Sequence, residues 1–143
     1  MAESIGRFGE YLDRSIDLLR RRCPVHFAAA RDAMRGRSAV IRVAGEPAIQ
    51  ARFDAPPWVI GGETGDVHIE LLPIDLAVLL RGEATLEEAT EDGRLRVRGD
   101  IDDLADLRDA LDAWLHGAFR YPAFARMHRA YLAGTDYPRL VDD

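Results

Sequence analysis

The chain has 143 residues, 48% hydrophobic and 31% charged, with a formal net charge of −6. That length supports one domain with one continuous core, and the excess of acid argues against non-specific nucleic-acid binding, which depends on cations against phosphates. The single Cys23 excludes an internal disulfide and a cysteine zinc site, and the nineteen basic residues are all arginine, which excludes lysine Schiff-base chemistry. No apolar run approaches the roughly 18 residues that span a bilayer. The segment Met1 to Tyr11 carries acid where a secretory signal would be apolar. A soluble, cytoplasmic, single-domain protein covering 1–143 is therefore the expectation.

Ile5, Phe8, Leu12, Ile16 and Leu19 recur at three- and four-residue spacing and predict a first helix, ending near Arg20-Arg21-Arg22. Pro24 breaks it, and a second helix fits Val25 to Met34. Ser38 to Ala44 and Ala48 to Phe53 alternate as strands around Gly45-Glu46-Pro47, which predicts an antiparallel hairpin. Trp58-Val59-Ile60 suits a short edge segment, and Asp66 to Leu72 a further strand. A short apolar helix ends at Arg81-Gly82, an acidic helical turn ends at Asp92-Gly93, and a strand runs from Arg94 to Arg98. Asp100 suits the N-cap of a long helix from Ile101 to about His116. A last helix, Ala123 to Ala133, stops at Gly134. Strands with one apolar and one polar face, bracketed by helices, indicate an α+β fold with helices on one side of the sheet.

Leu76-x-x-Leu79-x-x-Gly82, a second short helix, and Gly93-Arg94-Leu95-Arg96-Val97-Arg98-Gly99-Asp100 follow one another in this order. The segment resembles the core of the sterol carrier protein 2 family. The match is strong from Asp66 to Leu115, loose before it, and absent beyond Gly117. The resemblance implies a mainly antiparallel, twisted sheet of about five strands covered on one face, with a helix at each end. It also implies an internal pocket for a lipid, sterol, acyl chain or polyketide-like molecule, with no cofactor and no metal. The C-terminus lacks the Ser-Lys-Leu address common in eukaryotic members, and the chain looks like a bacterial stand-alone domain of this type. One position departs from the family: the aromatic residue common three positions before Gly93 is Thr90 here. A wider pocket, or one walled by Phe119 or Phe124, is the expected consequence.

On this resemblance the candidate ligand-binding residues are Phe53, Trp58, Ile69, Leu71, Leu80, Val97, Leu111, Trp114, Leu115, Phe119, Phe124, Met127, His128 and Tyr131. The expected place is between the sheet and the last two helices. Periodicity does not distinguish a filled core from a hollow one. His26, His68, His116 and His128 show no metal spacing, and no catalytic residue can be named. The acidic pairs, Asp102-Asp103 and Asp106 among them, read as solvated helix faces. Arg94, Arg96 and Arg98, extended by Arg42 and Arg52, form a basic stripe. It suits cross-strand pairing with His68 and Glu70, or docking to an acidic partner or, peripherally, to an anionic membrane. Two other functions stay open: a small cofactor-free isomerase or cyclase acting on an apolar intermediate, and an accessory interaction module. The oligomeric state also stays open, a homodimer included.

Overall fold

The computed structural model describes residues 4–118 and 121–137. Two helices, α1 (Gly6–Arg22) and α2 (Pro24–Met34), precede the strands β1 (Ala39–Val43), β2 (Ile49–Ala51), β3 (Val59–Gly61) and β4 (Val67–Leu71). Then come α3 (Pro73–Leu80), α4 (Leu86–Glu91), β5 (Leu95–Arg98), α5 (Ile101–Ala118) and α6 (Pro122–Ala133). The strands form one sheet in the order β3-β2-β1-β4-β5. Three pairings are antiparallel, as expected, but the central pairing of β1 with β4 is parallel. A parallel pair needs a crossover, and the excursion through β2 and β3 provides it. Strand alternation reports which face is buried, not which way a neighbour runs.

Register aligns the apolar positions. Ile49, Ile41, Ile69 and Val97 lie side by side across β2, β1, β4 and β5, and Val43, Leu71 and Leu95 form the next row. A slip of one residue in any strand would turn its row to the other face. The opposite face carries Gln50, Arg42, His68, Glu70, Arg96 and Arg98, with Val40 as a buried exception. Gly65 covers Val40 so closely that a Cβ there would meet Val40 Cγ2 at 2.8 Å.

Helix α1 is the hub of the covered face. Phe8, Tyr11, Leu12, Ser15, Ile16, Leu18 and Leu19 are all buried. Its N-terminus has no side-chain cap of its own, and Glu46 from the β1–β2 turn accepts from the Phe8 amide at 2.6 Å instead. A carboxylate there also opposes the positive end of the helix dipole. One turn on, Asp13 accepts from the amides of Trp58 and Val59 at 2.9 and 3.1 Å and fixes the β3 edge.

Helix α5 packs along α2. Arg37 joins them: it donates to the Ala33 and Met34 carbonyls at the end of α2 and pairs with Asp103 and Asp106 of α5. These two acids are partly buried partners, not the solvated face that the charge run suggested. Their hydrogen bonds, Asp106 first and then Asp103, push the Arg37 pKa up. At the other end of α5, a Cβ on Gly117 would lie 2.3 Å from Leu19 Cδ1. Only glycine allows that approach.

Candidate functional site

The α3–α4–β5–α5 corner is not filled. Helix α4 spans only six residues, fixed by a capping box between Thr85 and Glu88. It is too short to cover both β5 and the start of α5. A groove of about 290 Å³ remains among α4, β5 and α5. Leu86, Leu95, Val97, Leu104, Leu107 and Leu111 give it an apolar wall, and Glu87, Glu91 and Arg108 stand with them. Arg108 lies 3.9 Å from Glu87 and 3.7 Å from Asp109. Behind the groove is a second, wholly apolar cavity of about 60 Å³ beneath α3, reaching Phe8 and Leu12 of α1 and Trp114 and Leu115 of α5. Without polar partners such a space holds no ordered water. Groove and cavity share Leu86, Leu95 and Leu111 as a common wall.

Thr90 lines the groove at the position where the resembling family carries an aromatic ring. Its hydroxyl donates to the Leu86 carbonyl at 2.7 Å, so it adds little free polarity to the wall.

The sequence-selected residues divide into three groups. Ile69, Leu71, Leu80, Trp114 and Leu115 line the inner cavity, Val97 lines the groove, and Leu111 lines both. Val97 is 36% exposed, which marks the open side. Phe53 and Trp58 lie toward the other edge of the sheet and pack on Phe27, with ring centroids 6.1 and 5.4 Å from it. Phe124, Met127, His128 and Tyr131 belong to α6, which packs on α1 and borders neither space. Phe119 lies outside the described residues. The hollow thus lies between the sheet and α3, α4 and α5, so of the last two helices only α5 borders it. Leu86, Leu104 and Leu107 were absent from the sequence selection. The latter two stand on the α5 stripe, whose spacing reports an apolar face but not what covers it.

The α1–α6 contact is solid and polar at its centre. The Tyr11 hydroxyl bonds His128 Nδ1, and Tyr11 stacks on Tyr131 with centroids 5.0 Å apart. Trp114 Nε1 donates to Ser15 Oγ at 2.5 Å, and the Tyr131 hydroxyl donates to Glu46 at 2.9 Å. Burial pushes the His128 pKa down to about 4, so its imidazole is neutral at pH 7. Burial likewise raises Tyr11 and Tyr131 above the ordinary phenol range. None of His128, Tyr131, Asp112 or Tyr121 lines the groove or the cavity behind it. The polar groups of this region tie α6, α1, α5 and the β1–β2 turn together, and neither His128 nor Tyr131 opens onto either space.

Among the described residues no three His, Cys, Asp or Glu side chains are placed to hold a metal ion, and no helix is long and apolar enough to cross a membrane.

No family model and no curated protein matches the sequence. Solved structures match the fold. Sterol carrier protein 2 from Yarrowia lipolytica, in its apo form, superposes with a TM-score of 0.57 at 13% identity over 80% of this chain and 91% of that one. The sterol carrier protein domain 2 of Helicoverpa armigera gives 0.57 at 14% identity over 85% and 97%. The UbiJ-SCP2 ubiquinone synthesis protein gives 0.57 at 19% identity over 80% and 93%. The chain therefore has the sterol carrier protein 2-like fold that its central motifs resemble.

Proposed function

We propose that the protein binds a lipid-like apolar molecule noncovalently, seated in the β5 groove with its end against or beyond the shared wall of Leu86, Leu95 and Leu111. The observation that carries this reading is an apolar, leucine-rich groove backed by a wholly apolar cavity. The neighbours named as sterol carriers share the scaffold and support the same reading. Binding removes apolar ligand surface from water, worth about 25 cal/mol per Å² before ordering costs.

The groove sits at the lower limit of the usual ligand-pocket range of about 300–1,000 Å³. It suits one chain or one ring edge more than a fully engulfed ligand. Side-chain rotation at the shared wall would join the inner cavity and lengthen the site.

The test is native mass spectrometry of the purified protein and of Thr90→Trp, followed by organic extraction and identification of any adduct. Thr90 is exposed and lines the groove, so an indole there occupies the site without disturbing the core. The expected result is an apolar adduct on the wild type, or uptake of added long-chain alcohol, and loss of either in Thr90→Trp. Equal uptake by both proteins would place the ligand elsewhere, and none by either would end the reading.

A further inference from the structure

Strand β5 ends the sheet, and among the described residues its only strand partner is β4. Its outer backbone groups have no hydrogen-bonded strand among the described residues, which makes it a template for an added strand. Its two faces differ. On the helix side lies the apolar groove; on the other lies a hollow of about 530 Å³ lined by Arg42, His68, Glu70, Arg96 and Arg98. Thr90, Leu95 and Val97 border both. The two spaces therefore flank one strand and open at one edge.

The charges on that edge are not balanced locally. Arg42 reaches Glu63 at 3.6 Å and Arg94 reaches Asp75 at 4.0 Å. Glu70 stands opposite Arg96 in register, yet among the described residues neither Arg96 nor Arg98 has an ion pair within 4 Å. Two uncompensated arginines on a chain of net charge −6 are a local excess of the scarcer sign. Charged edges commonly guard against sheet aggregation. Here the guard is selective: a second copy of β5 would bring arginine against arginine, whereas an acidic strand would be attracted.

We propose that the β5 edge accepts an extended peptide segment of alternating apolar and acidic residues as an added strand. Side chains on a strand alternate between faces. The apolar set would enter the groove against Val97 and Leu104, and the acidic set would lie over Arg96 and Arg98. Main-chain hydrogen bonds supply affinity, and the two unlike faces supply specificity. The inference rests on the edge and its charges, not on the ligand reading. One consequence links them: groove-bound apolar ligand and peptide exclude one another.

The experiment uses the full chain and a short, capped, fluorescent peptide of alternating valine and glutamate. A scrambled peptide of the same composition and a valine–lysine alternation serve as comparisons, with fluorescence anisotropy at low salt as the readout. Binding should favour valine–glutamate over the scramble by about tenfold, the worth of two cross-strand ion pairs. It should weaken with salt. The double variant R96E/R98E changes only exposed positions, so its fold should survive, as circular dichroism will show; its preference should move to valine–lysine. Amide hydrogen exchange on the wild type should show new protection at Leu95–Arg98. Equal binding of the scramble, protection appearing elsewhere, an unchanged preference in R96E/R98E, or no binding at millimolar peptide would each overturn the proposal.

Discussion

The two ends of the helical layer are built differently. Where α6 meets α1, rings pack on rings and Tyr11 bonds His128, while Tyr131 bonds Glu46 of the β1–β2 turn and nearby Trp114 of α5 bonds Ser15 of α1. Where α3, α4 and α5 meet β5, the apolar side chains are mainly leucine, and they leave a groove and a cavity. Flexible aliphatic walls around a void can yield to a guest, whereas an aromatic, hydrogen-bonded contact has one arrangement. The fold thus joins a closely packed half to a half with open apolar space, and α1 belongs to both, through Tyr11 on one side and Phe8 and Leu12 on the other.

That contrast can be broken most forcefully in the rigid half. Phe124 is fully buried, and Phe124→Ala should cost about 3–5 kcal/mol in chemical denaturation, since the aromatic surroundings cannot collapse into the hole. The His128 lock gives the next effect through pH. Its folded pKa is depressed to about 4, while the unfolded value is about 6.5. Below pH about 6.5 the unfolded chain takes up a proton that the folded chain refuses, so stability falls as pH falls to about 4, by roughly 3 kcal/mol in all. Above pH about 6.5 this group adds no slope. Unfolding curves across that window should show the loss in the wild type, and His128→Leu should flatten it.

Smaller changes sharpen the comparison. Gly117→Ala places a methyl against Leu19 in the α1–α5 contact and should cost about 1–3 kcal/mol by overpacking. In the hollow half, Leu86 is only partly buried, so Leu86→Ala should cost about 1 kcal/mol while merging groove and cavity. Its signature should be altered ligand preference more than lost stability. Thr90→Phe restores the ring common in the resembling family. It should change stability by no more than about 0.5 kcal/mol, as a surface position does, yet weaken ligand binding. If Leu86→Ala proves as damaging as Phe124→Ala, the two halves are equally rigid and the distinction fails.

Much of this was legible in the chain. Alternation in β1 and β4, the stripe of α1, and the glycines ending α3 and α4, with φ of 72° at Gly82 and 76° at Gly93, placed the elements within a few residues. The central motifs named the fold. Three things were not local enough to read. The parallel β1–β4 pairing depends on where the chain returns, not on any strand's pattern. The cap on α1 comes from Glu46, forty residues away from the helix start in sequence order. The side of the molecule left hollow depends on the brevity of α4 and on where α6 docks. The α6 stripe of Phe124, Met127 and Tyr131 and the α5 stripe of Leu104, Leu107 and Leu111 are both apolar, and only tertiary packing shows that the first docks on α1 while the second borders the groove. Thr90 was the one local sign: a small residue in place of a ring, beside the space that the structure leaves open.

The most direct test of the central claim is a methyl-resolved NMR titration with a long-chain alcohol, using leucine and methionine labels. Leu86, Leu95, Leu104, Leu107 and Leu111 line the groove, while Met127 reports on the rigid half. The account predicts saturable shifts in those leucines with Met127 unmoved. Shifts centred on Met127, or none at saturating alcohol, would contradict it.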